Sequence, residues 1–130
     1  MASITIKNIT FGEGMPKICV PIIASSREEI LTAAQALRFA PCEVVEWRVD
    51  YYKDARRPSR ILETLTQLRS ILHRQLLLFT FRTASEGGQI ALDPYDYLWL
   101  NQKVAESRLA DLIDLEYTHN SERAASFFRM

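Results

Sequence analysis

Glu46, Arg48, Arg82 and Glu86 combine chemically useful side chains with a spacing that can bring them together. Glu46 and Arg48 lie two apart in the run EVVEWRV. On a strand they share one face, while Val45, Trp47 and Val49 share the other. In QLLLFTF, Thr80 has the parity of Leu76, Leu78 and, one step beyond the run, Arg82; Phe79 and Phe81 point the opposite way. In DLIDLE, Leu112, Asp114 and Glu116 share a parity. Each segment therefore starts apolar and becomes charged at its C-terminal end, on one face. A parallel sheet covered on both faces reads as almost uniformly apolar. Charges at the C-terminal strand ends are what an active site at the top of a (β/α) barrel requires.

The residue types suggest what such a site would hold. The guanidinium forks of Arg48 and Arg82 suit a carboxylate. Glu46 can accept a hydrogen bond from a substrate hydroxyl or hold Arg48 in place. Glu86 follows Arg82 by four residues and precedes Gly87 and Gly88. It can act as a general base or orient one, and the glycines let the backbone turn sharply or approach a ligand. Read without a ligand, the same residues make a salt-bridge network beside an ordinary Gly-Gly turn. Periodicity does not separate these alternatives.

The elements that must position these residues alternate along the chain. Ser3 to Phe11 reads as a small hairpin or two short strands, ended by Gly12 and Gly14. Lys17 to Ala24 is a compact apolar run suited to a buried strand, with Pro21 counting against it because proline cannot donate to a ladder. Ser26 and Glu29 form a capping-box pattern, and Ile30, Ala33, Ala34 and Leu37 give the helix from Ser26 to Phe39 its apolar face. The strand Glu43–Val49 follows, then a polar loop with Asp50, Lys53, Asp54 and Arg56. A helix opens near Pro58 and carries the stripe Ile61, Leu65, Leu68 and Leu72. The strand Gln75–Phe81 comes next. Asp93 and Pro94 start a helix to about Ser107, with Tyr97, Leu98, Val104 and Ala105 toward its buried side. Leu109–Leu115 is the fourth strand, and Asn120 or Ser121 opens a final helix. Strand and helix alternating four times imply parallel strands joined by crossovers.

Composition sets the remaining bounds. A chain of 130 residues with 48% hydrophobic and 25% charged residues suits one globular domain spanning 1–130, with a hairpin in 1–14 and βα units in 15–130. Lysine plus arginine and aspartate plus glutamate both number 16, so no net field draws the chain to nucleic acid or a membrane surface. Cys19 and Cys42 belong to no metal-binding cluster and are expected to be reduced. The N-terminus lacks the pattern of a signal peptide, and no apolar run is long enough to span a bilayer. A cytoplasmic location is expected.

Three separated motifs then carry a resemblance. EWRVD at Glu46–Asp50, FTFRTASEGG at Phe79–Gly88 and DLIDLE at Asp111–Glu116 resemble the class I (Schiff-base) 3-dehydroquinate dehydratase family in type, order and spacing. The resemblance runs from Ile4 to about Tyr117. It implies the first four βα units of a (β/α)8 TIM barrel, preceded by a hairpin that covers the barrel bottom. It implies that Glu46, Trp47, Arg48 and Arg82 line a site for 3-dehydroquinate, and that Glu86 orients a catalytic histidine. The family removes water from 3-dehydroquinate to give 3-dehydroshikimate in the shikimate pathway, through a lysine Schiff base and with neither metal nor organic cofactor.

In that family the histidine and the lysine come from later strands, and this sequence reaches Met130 before either. Lys7, Lys17, Lys53, Lys103, His73 and His119 do not match them and read as solvated surface groups. The resemblance therefore implies a truncated barrel, inactive by itself, with an open sheet expected to drive dimerisation or other self-association. Two further readings stand beside it: a non-catalytic module binding an anionic polyhydroxy acid, and a half-barrel subunit completed by association.

Overall fold

The chain opens on a two-residue turn whose backbone sets a hairpin. Lys7 and Asn8 both have positive φ, 48° and 70°, which matches the twist needed to fold β1 (Ile4–Ile6) onto β2 (Ile9–Phe11). Thr5 faces Thr10, and their hydroxyls bond at 2.9 Å. The structure, a computed structural model, describes residues 2–117. The final helix expected from Asn120 or Ser121, and His119, lie outside the described residues.

Four parallel strands form one sheet in chain order: β3 (Cys19–Ile22), β4 (Val44–Arg48), β5 (Leu76–Thr80) and β6 (Leu112–Asp114). Helices α1 (Arg27–Leu37), α2 (Pro58–Ile71) and α3 (Pro94–Ser107) connect them. Pro21 is tolerated because β3 is an edge strand among the described residues. The helix starts follow from local chemistry. Ser26 Oγ accepts from the Glu29 N–H at 3.1 Å and donates to Glu29 Oε1 at 2.9 Å. Asp93 accepts from the Tyr95 N–H at 2.8 Å, ahead of Pro94 in the first turn of α3.

The core lies between one sheet face and the helices. Val45, Trp47, Val49, Leu77, Phe79 and Phe81 are buried there with Ile30 and Ala34 of α1 and Ile61, Leu65 and Leu68 of α2. Trp47 meets Phe79 edge-on at 5.9 Å between ring centroids. The apolar stripe expected on α2 is buried throughout. On α3 the buried residues are Tyr97, Leu100, Asn101 and Val104, while Leu98 and Ala105 are only partly covered. Asn101 Nδ2 donates to the Tyr97 carbonyl at 2.9 Å, which satisfies half of its amide, while Oδ1 is buried without a partner.

At the N-terminal end of the sheet, Lys7 is exposed, as expected, but it is also paired. Its Nζ pairs with Asp111 at 2.9 Å and fastens the hairpin beneath β6. Cys19 is exposed and Cys42 buried, and the two are not bridged. Among the described residues, no helix is long and apolar enough to cross a membrane.

Candidate functional site

Strand register arranges the uncovered face in layers. Pro21, Glu46, Leu78 and Leu112 lie in one row, and Arg48, Thr80 and Asp114 in the next row toward the C-terminal ends. Arg82 continues the alternation past β5, as does Glu116 past β6. The face is thus apolar low down, at Leu76, Leu78 and Leu112, and charged at its upper rim.

Each charged group has a defined partner. Glu46 Oε2 accepts from Thr80 Oγ1 at 2.8 Å, so Glu46 is held from the neighbouring strand, and its charge adds to the field on Arg48. Arg48 is clamped by Asp50, with Nε donating to Oδ1 and Nη2 to Oδ2, both at 2.9 Å. Asp50 lies in the short 3₁₀ turn Val49–Tyr51, and its side chain is 0% exposed. Its hydrogen bonds raise the pKa of Arg48 above the ordinary arginine value. The Arg48 guanidinium also lies 5.2 Å from the centroid of the Tyr51 ring. The fork expected to grip a ligand therefore already grips Asp50, and the remaining N–H groups are the ones on offer. Arg82 is looser: its Nη2 stands 3.7 Å from Asp114 Oδ2, with both side chains about two-fifths exposed. Glu86 sits on the exposed 3₁₀ turn Ala84–Glu86, next to Gly87 at φ +89°.

Trp47 requires a correction. It is 0% exposed, and its ring lies in the core against Phe79 and Tyr52. Strand alternation turns it to the helix side, opposite Glu46 and Arg48. The ring therefore lies behind β4, away from the row of Glu46 and Arg48.

Sequence reasoning gave Asp50 and Thr83 no part in this rim, and placed Glu116 on the charged face without a partner. Asp50 accepts the Gln89 N–H at 3.1 Å as well as the Arg48 fork. Glu116 accepts from Thr83 N–H at 2.9 Å and from Thr83 Oγ1 at 2.7 Å. The parity of Asp50 with Arg48 was the available signal. Among the described residues, no three His, Cys, Asp or Glu side chains converge as metal ligands. The arrangement can bind a small anion bearing hydroxyl groups, with guanidinium donors for charge and carboxylate acceptors for O–H groups.

Comparison with known proteins gives this rim a context. The family model for type I 3-dehydroquinase matches residues 18–130. The 3-dehydroquinate dehydratase of Clostridioides difficile (strain 630) is 42% identical over 113 residues, which are 87% of this chain and 44% of that protein. The protein of the same name from Listeria welshimeri is 40% identical over 116 residues, 89% of this chain and 46% of its own length. The chain thus spans less than half the length of these curated relatives. The crystal structure of the type I enzyme from Clostridium difficile with covalently modified comenic acid superposes with a TM-score of 0.92 at 37% identity, over 98% of this chain and 52% of that one. The Enterococcus faecalis enzyme gives 0.92 at 36% identity, over 97% and 52%. The sheet and its helices correspond to half of such a (β/α) barrel. With most of its length matched by the family model and its fold matched to solved members, this chain belongs to the type I 3-dehydroquinase family.

Proposed function

We propose that this chain supplies substrate recognition for the dehydration of 3-dehydroquinate to 3-dehydroshikimate. The observation that carries the reading is the charged rim above an apolar floor, with Glu46, Arg48 and Arg82 on one face of three adjacent strands. Arg82, only loosely paired, meets the substrate carboxylate. Glu46, fixed by Thr80, accepts from a ring hydroxyl. Arg48, its plane set by Asp50, adds donors beside them. Glu86 is assigned the role of orienting the histidine that moves the proton.

The reaction removes a proton beside the carbonyl carbon and expels hydroxide as water. A lysine iminium at that carbonyl supplies the electron sink. In this reading none of this chain's four lysines serves that step. Lys7 is paired with Asp111 beneath the sheet, Lys17 precedes β3, Lys53 follows β4 in an exposed loop, and Lys103 lies on α3 beside Trp99 and Glu106. Recognition and covalent chemistry are therefore separable. Calorimetry should detect 3-dehydroquinate binding, and Arg82→Ala should weaken it roughly tenfold or more, the scale of a charge-assisted hydrogen bond. Borohydride reduction in the presence of 3-dehydroquinate should leave the mass of the chain unchanged. No binding heat, or an adduct on any of the four lysines, would overturn the assignment.

A second reading adds association to recognition. Ile23, directly after the edge strand β3 and in the parity of Pro21, is 57% exposed, beside a face that is apolar at its floor. A dimer closing over this face would cover it. Size-exclusion chromatography with light scattering should report a concentration-dependent dimer; a compact monomer at all concentrations counts against it.

A further inference from the structure

The loop bearing Arg82 and Glu86 is closed on itself through one residue. The Thr83 carbonyl accepts from the N–H groups of Glu86 at 3.0 Å and Gly88 at 2.9 Å, while the Ala84 N–H donates to the Ile90 carbonyl at 2.9 Å. Thr83 caps the turn that carries Glu86 and directly follows Arg82. Both of its own outward groups, N–H and hydroxyl, are taken by the two oxygens of Glu116 at 2.9 and 2.7 Å. Glu116 is oriented in turn, because its N–H donates to Tyr97 Oη at 2.7 Å and the Tyr97 ring is buried between α3 and the sheet. A rigid chain of contacts thus runs from α3 through the end of β6 to the residue between Arg82 and Glu86.

We propose that Glu116 is a positioning residue, setting where Arg82 and Glu86 stand by holding Thr83 with both carboxylate oxygens. The inference rests on the recognition reading above for its functional consequence, and on the hydrogen bonds alone for its structural one. Removing the carboxylate leaves a buried Thr83 N–H without an acceptor, which penalises the closed loop. Geometry rather than charge is the requirement. A glutamine at 116 offers an oxygen to the Thr83 N–H and an N–H to the Thr83 hydroxyl, so it can keep both bonds.

The test uses the 130-residue chain with Glu116→Ala, Glu116→Gln and Thr83→Val, the last removing one of the two bonds. Amide hydrogen exchange and calorimetric titration with 3-dehydroquinate are read together. Glu116→Ala should speed exchange at Thr83, Glu86 and Gly88 and weaken binding, each roughly tenfold, with β5 amides unchanged. Glu116→Gln should match the parent, and Thr83→Val should fall between. Unchanged loop exchange in Glu116→Ala, or a glutamine variant as impaired as the alanine one, overturns the proposal. If the parent binds no 3-dehydroquinate, the recognition reading falls, and the exchange contrast still decides whether Glu116 holds the loop.

Discussion

Gly88→Ala is expected to break the closed loop after β5, while Gly87→Ala one position earlier should be tolerated. A β-carbon at position 88 would stand 1.8 Å from the Arg82 carbonyl oxygen, 2.5 Å from its carbonyl carbon and 2.9 Å from the Thr83 oxygen. All three are backbone atoms, so no side-chain rotation relieves the overlap. The loop must open, and with it go the Gly88 N–H bond to Thr83 and the Asp50 bond to Gln89. The cost should be about 3 kcal/mol or more, the upper range for overpacking against a fixed backbone. Gly87 differs because a β-carbon there meets open space, and only its left-handed φ of +89° is unfavourable to alanine. That conformation costs a non-glycine residue about 1–2 kcal/mol. Urea unfolding should rank the parent above Gly87→Ala above Gly88→Ala. Amide exchange should show Thr83 to Ile90 unprotected only in the last. Equal stability of the two variants would mean that the close approach of Gly88 to Arg82 is not a feature of the folded protein.

The same loop shows how much of this protein is legible in its sequence. Alternation placed Glu46, Arg48, Thr80, Arg82 and Asp114 on one face, and the strand register agrees for each residue within a strand. Helix starts were equally legible, because Ser26 and Asp93 act on amides two or three residues away. Pairing across the sheet was not. Nothing local tells Arg48 to choose Asp50 over Glu46; the choice follows from a 3₁₀ turn that folds Asp50 back, and from Thr80 claiming Glu46 across two strands. Trp47 shows the reverse case. Its alternation pointed to the core and the family resemblance pointed to the ligand, and packing follows alternation, because a fully buried ring between Phe79 and Tyr52 cannot also reach the open face. Lys7 is the surface charge its sequence suggests, but its pairing was not legible, because Asp111 is brought near only once the whole sheet is assembled.

Asp111→Asn is the charge removal expected to cost the most stability. One Asp111 carboxylate ties four elements together. Its Oδ2 accepts from Arg69 Nη1 at 2.6 Å and from the Leu77 N–H at 2.9 Å, while Oδ1 pairs with Lys7 at 2.9 Å. Arg69 then extends to the carbonyls of Leu109 at 3.2 Å, Gln75 at 3.1 Å and Leu72. Hairpin, α2, β5 and β6 therefore meet at a group whose side chain is 11% exposed. Burial acts to raise the Asp111 pKa, but the Leu77 amide, Arg69 and Lys7 together outweigh it and hold the carboxyl below its ordinary range.

A carboxyl depressed on folding stabilises the folded state above its unfolded pKa, and that contribution is lost as pH falls through the folded value. Asparagine keeps the shape but leaves the Arg69 guanidinium, 18% exposed, without its counter-charge. The loss should be about 3 kcal/mol at neutral pH, as for one partner removed from a largely buried, hydrogen-bonded pair. Chemical denaturation should show a lower midpoint with an unchanged slope. The gap between parent and variant should narrow in acid, as the pH falls below the ordinary aspartate range and then through the lower folded value. A variant as stable as the parent at pH 7, or a gap that stays constant into acid, would show that Asp111 is not the charge that locks the hairpin to the sheet.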